Sequence, residues 1–402
     1  MTVRCLSFIL ATALLGYLEP LRAQQAFSRR GIIAAALTRG PLVALFAADT
    51  SRAVAELASA RVMFQPLLQT SFTTSSPQYH VIAELPLDGV LLRGRRLAVG
   101  RATLRSAKAQ YLFNRASIVF DADTAYTRAI AATARAALSR RTAIDADSLR
   151  IIAAARRDAG DASELDVQLA IISAGQQANL AALDSVAAIA RLLDLQSLIG
   201  LSADSVRIVL ADSLTLPPTD RTIPPRGTPL RIVAASSNVD ASTARVALER
   251  RSRFGSPSLT AGVEKGDPTG AQTQALPTVG ISLPIPFPGR NRGVVRVAEA
   301  ERSRAVAALA VVTLESSRQV SRARRELVAA AARVQRTSGL LAGAERVAAL
   351  ALTAYREGAS PLPSVLEARR NARDILTQYI DELTALWTAL AAETLVTSTE
   401  GS

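Results

Sequence analysis

The sequence is poor in the residues on which catalysis and metal binding usually rest. It has one cysteine, Cys5, and one histidine, His80. A single thiol forms no intrachain disulfide, and no Cys/His set for zinc can be assembled. The two methionines, Met1 and Met63, make no cluster of soft ligands. A Ser-His-Asp arrangement would have only His80 to use, and no G-x-x-x-x-G-K-[ST] phosphate loop is present. His80 reads as a polar residue on one face of a strand. These absences point to a chain that is not an enzyme and carries no cofactor or metal. Lysine is confined to Lys108 and Lys265, so the net charge of +13 is almost all arginine. The arginines alternate with Asp and Glu and form no block beyond pairs such as Arg324-Arg325. They read as solvated helix faces, with no nucleic acid as partner. Aromatic content is 4%, low for a compact globular core. Proline is missing from Leu87 to Leu216 and from Gly289 to Ser360. Two very long helices are therefore permitted. No window of about 20 apolar residues follows the first 23, so no transmembrane helix is expected.

Residues 1–23 read as a secretory signal. Arg4 gives the basic start, Leu6–Leu18 the apolar core, and Leu21-Arg22-Ala23 a cleavage site. The mature chain is expected to begin near Gln24. Cys5 precedes the apolar core, so it offers no site for acylation.

What is present is a pattern that occurs twice. A helical run over Ile32–Met63 is followed by alternating runs that form a hairpin over 67–88. Tyr79, Val81, Ala83, Leu85 and Leu87 share one face of its second strand, with His80 and Glu84 on the other. Such strands suit a soluble sandwich or a membrane barrel equally, since about 10 residues cross the outer-membrane core. Gly94 and Arg95 then lead into a long helix over 95–157. Its spacing is that of a coiled coil, with Ile118, Ala122, Ala125, Ala129, Ala132 and Ala136 in the seam. Gly160 breaks the run, and a return helix follows over 161–199. Residues 201–229 are rich in proline and read as an irregular linker with one short helix. The second round has a helix over Leu230–Arg253 and a hairpin over 256–287, with Val279, Ile281, Leu283 and Ile285 on one face. A joint at Gly289, Arg290 and Gly293 leads to a long helix over 293–357. Leu327, Ala331, Val334, Ser338 and Tyr355 lie in its seam. A break at Gly358 precedes a return helix over 360–395. Gly160…Val167…Ala170 matches Gly358…Val365…Ala368 at a shift of 198. The chain thus reads as a duplication, 24–228 and 229–402.

The duplicated unit, the Leu283-Pro…Gly289-Arg-Asn-Arg-Gly293 joint and the Tyr355-Arg-Glu-Gly358…Val365-Leu-Glu367-Ala368 run resemble the TolC-type outer membrane factors. The joint is similar to that of the heavy-metal-efflux branch. The resemblance implies a mixed α/β membrane protein and a homotrimer. Each chain would give four strands to a 12-stranded barrel and its helices to a periplasmic α-barrel. It implies a passive exit duct in the outer membrane, in contact with outer membrane lipid. A periplasmic adaptor and an inner-membrane pump of the resistance-nodulation-division type would be its partners, the pump choosing the cargo. It places Gly160 and Gly358 at periplasmic tips where adaptors dock. Asp166 falls where relatives carry a pore-facing carboxylate. Ser364 takes the matching place in the second half, and Glu367 one turn on would restore the acid there. The alternatives are a periplasmic adaptor, which has one helical hairpin flanked by β domains, and a structural coiled coil, which has no use for two alternating hairpins.

Overall fold

Fourteen elements make up the described chain. In the computed structural model these residues are 25–63, 65–202, 208–218, 227–252, 257–267, 269–270, 274–283 and 291–400. The expected signal at 1–23, and Ile285, Gly289 and Arg290 of the second joint, lie outside them. The order is β1 (Gln25–Phe27), α1 (Arg29–Arg39), α2 (Pro41–Ser59), β2 (Leu67–Phe72), β3 (Tyr79–Pro86), α3 (Asp88–Leu91), α4 (Arg93–Asp158), α5 (Glu164–Leu198), β4 (Ile208–Leu210), α6 (Leu230–Ser252), β5 (Ser258–Lys265), β6 (Leu276–Ser282), α7 (Arg292–Arg356) and α8 (Leu362–Thr397). Helix, hairpin, long helix, break and return helix occur twice in this order. α4 has 66 residues and α7 has 65. At 1.5 Å per residue each is about 100 Å of helix. No single helix among the described residues is both long and apolar enough to cross a membrane.

The chain divides into two compact units. One draws on described residues within Met1–Pro41, Ile118–Arg221 and Glu326–Ala391. The other draws on Leu42–Ser117, Thr222–Arg325 and Ala392–Ser402. Each unit takes segments from both sequence repeats.

The first unit packs parts of four long helices through small residues and a few large ones. Leu149, Ala153, Val167, Ala170, Tyr355, Leu362 and Val365 form one buried cluster. Leu327, Ala330, Val334, Leu383, Leu386 and Ala389 form another. A buried Leu or Val here contributes about 1.5–3 kcal/mol. Of the expected seams, Ile118, Ala122, Ala129 and Ala136 are buried, as are Leu327, Val334 and Tyr355. Ala331 and Ser338 are exposed, and Ala330 and Thr337 take their places. The difference is one residue of helical phase, 100°, which sequence spacing resolves poorly.

Three expectations need correction. The single helix expected over Ile32–Met63 is two, because Pro41 cannot continue a helix and instead starts one, where its missing N–H is no loss. Gly40 N–H donates to the Ala36 carbonyl at 3.2 Å and ends α1. With the phase reset, Leu42, Leu45 and Val54 are exposed while Ala53 and Leu57 are buried. The linker over 201–229 holds a strand and, among its described residues, no helix: β4 pairs in parallel with β1, Gln25 opposite Ile208. The first joint lies earlier than expected. α4 begins at Arg93, so Gly94 and Arg95 are helical, and the turn is Leu87–Leu92. Gly293 is likewise inside α7, and a Cβ at Gly94 or Gly293 would meet nothing within 4 Å. The joint glycine is Gly89, where a Cβ would lie 1.5 Å from the Met63 carbonyl oxygen. An ion pair between Asp88 and Arg96 ties α3 to α4.

One network of side chains fastens β1 and the β4 segment to the helices of the first unit. The Tyr126 hydroxyl donates to the Phe27 carbonyl at 2.8 Å and bonds Asp212 Oδ2 at 2.9 Å. The Arg29 backbone N–H donates to the same Oδ2 at 2.8 Å. The Arg29 guanidinium pairs with Asp123 and lies 3.7 Å from the Trp387 ring centroid. Trp387 Nε1 donates to the Thr215 carbonyl at 2.8 Å. Burial, then the hydrogen bond to Asp212, pushes the Tyr126 hydroxyl up to about 12. Its protonated form is the one the fold favours, so its contribution is fully present below pH 10 and is lost as pH rises through about 12. Tyr126→Phe leaves Asp212 short of a donor and is expected to lower stability by about 1–3 kcal/mol. It should also remove the loss of stability between pH 10 and 12. Thermal unfolding followed by circular dichroism across that range checks both.

Candidate functional site

Two places in the molecule have the makings of a functional surface, one in each unit. The first is the four-stranded sheet, ordered β2-β3-β5-β6 and antiparallel throughout. The hairpins arise from period-2 alternation with turn residues between the strands. Cross-strand partners share a face, so the register sorts the side chains. Phe72, Tyr79 and Lys265 align, followed by Thr70, Val81, Val263 and Pro277, then by Leu68, Ala83, Ala261 and Val279, with Leu85, Leu259 and Ile281 last. That face is apolar and unusually exposed: Val279 is 82% exposed and Ile281 66%. Phe72 and Tyr79 pack at one end, ring centroids 5.2 Å apart.

The opposite face is mainly polar, with Leu67, Ile82 and Leu276 as its apolar members. His80 Nδ1 lies 3.4 Å from Glu264 Oε1, its register partner, and Ser258 Oγ donates to Glu84. Thr260, Gly262, Thr278 and Gly280 fill the space between them. A face of apolar side chains left in the open beside a polar face is what a membrane barrel wall requires. β2 and β6 are edges, each with a row of backbone groups that this sheet does not pair.

The second place is the pair of helix breaks. Gly160 has φ +85° and Gly358 φ +79°. At the first, Asp161 N–H reaches the Arg156 carbonyl at 2.8 Å and Gly160 N–H reaches Arg157 at 2.9 Å. At the second, Ala359 reaches Ala354 at 2.8 Å and Gly358 reaches Tyr355 at 3.1 Å. Both are Schellman endings, which need a residue with positive φ and therefore favour glycine. The return helix α5 starts with a capping box: Asp166 N–H donates to Ser163 Oγ at 3.1 Å, and Asp166 Oδ2 accepts from Ser163 N–H at 3.2 Å. Ser364 is exposed in the first turn of α8, its N–H bonded to the Pro361 carbonyl at 3.1 Å. Glu367 is exposed one turn on and lines an open groove of about 1260 Å³ with Asp145, Glu345, Arg369 and Arg373.

Arg156 joins the two breaks, which spacing alone did not show. Its guanidinium donates to the Tyr355 carbonyl and, at 3.1 Å, to the Asp161 carbonyl, and lies 4.7 Å from the Tyr355 ring centroid. An arginine in the last turn of a helix is a legible cap signal; its stacking on a side chain 199 residues away is not. Tyr355 is 2% exposed, and burial pushes its hydroxyl up. Arg157 pairs with Asp158 and Glu164 of its own chain. Hydrogen bonds from Gln168 and then Arg157 hold the Glu164 carboxyl below its ordinary range. Arg369 donates to the Asp145 carbonyl at 2.7 Å, and burial lowers its pKa. Arg356 is exposed at the end of α7.

One unit thus holds a sheet with an exposed apolar face, and the other holds helices that end in glycine breaks. Residues 230–395 match the family described as outer membrane efflux protein. No curated protein matches the chain. Among solved structures, a membrane protein from Pseudomonas aeruginosa is 22% identical with a TM-score of 0.74, over 92% of this chain and 90% of that one. The Campylobacter jejuni CmeC outer membrane channel is 15% identical with a TM-score of 0.76, over 92% and 85%. The open state of the Neisseria gonorrhoeae MtrE outer membrane channel is 17% identical with a TM-score of 0.69, over 92% and 88%. The chain shares the fold of these outer membrane channels, and its match to the efflux protein family lies in the second half. That family is one of transport proteins, not of enzymes.

Proposed function

We infer that this protein is the outer membrane exit channel of a tripartite efflux pump and conducts substrate passively, without catalysis of its own. The observation that carries the reading is the sheet: apolar and exposed on one side, mainly polar on the other, open at both edges, and continued by long helices. An open edge in lipid leaves backbone groups unpaired, so four strands require further copies to close a wall. The assembly is a homotrimer in the outer membrane, delivered there by a cleaved signal and built from two tandem repeats. A periplasmic adaptor and an inner-membrane pump complete the path. Mass measurement in detergent is expected to give three copies, and reconstitution into planar bilayers a discrete conductance. A stable folded monomer, or protein that inserts and conducts nothing, would contradict the reading.

The helix breaks are the periplasmic gate and adaptor-docking tips, with Asp166 and Glu367 as rings of carboxylate that attract cations. The capping box gives Asp166 a structural duty as well, so charge must be removed without removing the acceptor. Asp166→Asn with Glu367→Gln is expected to lower cation preference in single-channel recordings while the fold stays intact. Unchanged conductance and selectivity would take the carboxylates out of the gate.

A further inference from the structure

The register brings the openings of both long helices to one end of the sheet. Pro86, the last residue of β3, pairs with Ser258, and Ser258 pairs with Ser282, the last residue of β6. α4 starts seven residues after Pro86 and α7 ten after Ser282. The opening turns of both hold exposed arginines, Arg93 and Arg95 in one, Arg292 and Arg296 in the other. Neither helix has an acid in its first turn. Cations there oppose the helix dipole, so helix stability does not account for them. None of the four makes an ion pair among the described residues, whereas nearby Arg96 is neutralised by Asp88 and Arg250 by Glu299. Exposed apolar side chains sit beside them in sequence: Val90 and Leu91 before Arg93, and Val294 and Val297 on either side of Arg296. Exposed arginine mixed with exposed aliphatic residues, at the end of a sheet whose apolar face is open, fits the level of lipid headgroups, with stems in the hydrocarbon and guanidinium groups outside. The other end of the sheet has mixed charge, with Lys265, Glu264, Asp267 and His80.

We propose that Arg93, Arg95, Arg292 and Arg296 form a collar that binds the phosphate groups of anionic phospholipid in the leaflet on the helical side of the sheet. Each cationic side chain near an anionic surface strengthens the attraction to phosphate. The collar rests on the outer-membrane reading and names a lipid partner for it.

The test uses the full-length protein in detergent, offered equal amounts of phosphatidylglycerol and phosphatidylcholine, with bound lipid counted by native mass spectrometry. Phosphatidylglycerol should be retained in excess. Replacing the four arginines by Gln should reduce that excess at least about tenfold, and replacing them by Lys should keep most of it, because the attraction is chiefly one of charge. Equal retention by the wild type and the Gln variant would overturn the collar. So would full competition by inorganic phosphate, which would mark a small-anion site. So would loss of the trimer in the Gln variant with lipid preference unchanged, which would mark a contact between copies. In each of these three cases insertion into bilayers leaves the channel reading standing. Failure of the wild type to enter any bilayer would remove both.

Discussion

Val279→Arg should prevent assembly in the membrane. Val279 lies in β6 opposite Ala261, on the face it shares with Ile281, Val263 and Leu259, and is the most exposed large apolar residue among those described. An arginine on a lipid-facing wall costs about 2–4 kcal/mol near mid-bilayer. In a trimer the substitution is made three times around one barrel. The expected outcome is loss of the heat-modifiable form and of outer membrane extraction, with soluble or aggregated protein in its place. Thr278→Arg, one residue away on the polar face, is the control and should assemble. Normal assembly of Val279→Arg, or equal damage from both, would mean that the apolar face does not meet lipid.

Gly89→Ala should be the most damaging of the Gly→Ala changes among the described residues. The new carbon would lie 1.5 Å from the Met63 carbonyl oxygen and 2.6 Å from its carbonyl carbon. Both are backbone atoms, so no change of rotamer relieves the overlap, and the turn between β3 and α4 must move. Overpacking of this kind costs 1–3 kcal/mol where neighbours can yield. Here they cannot, and a loss above about 3 kcal/mol is expected. Gly94→Ala, five residues on, meets open space within a helix and should be neutral or stabilising by up to about 1 kcal/mol. Thermal unfolding of the two variants side by side decides the matter. If Gly94→Ala were the harmful one, the joint would lie at Gly94-Arg95.

That joint shows what kind of information sequence carries. A glycine followed by arginine at the start of a proline-free run looks like a turn, but Gly94 is helical and the demand for glycine comes from Met63, 26 residues away from Gly89. Signals of local origin are legible in the sequence. Alternation from Tyr79 to Leu85 set the two faces of β3, because side chains of a strand alternate whatever surrounds it. Gly160 and Gly358 ended their helices, because only a residue tolerant of positive φ closes a Schellman turn. The absence of proline allowed α4 and α7 their length. The repeat of all this at a shift of about 198 residues, together with the motif around Tyr355, carried the likeness to outer membrane factors.

What tertiary structure alone decided lies in contacts between residues far apart in the chain. Pro41 reset the helical phase, so that Leu57 rather than Leu45 found a neighbour to cover it. The run over 201–229 carries no strong periodicity, yet Ile208–Leu210 became a strand because β1 offered an unpaired edge. Arg29 shows nothing special in sequence, but its guanidinium is held by Asp123 and Trp387. Arg156 likewise binds the two breaks through Tyr355. Composition and periodicity determine which elements form and which faces are apolar, since these depend on near neighbours. Which element meets which, and therefore which polar group is buried and paired, depends on closing long loops, and nothing in the local sequence encodes that choice.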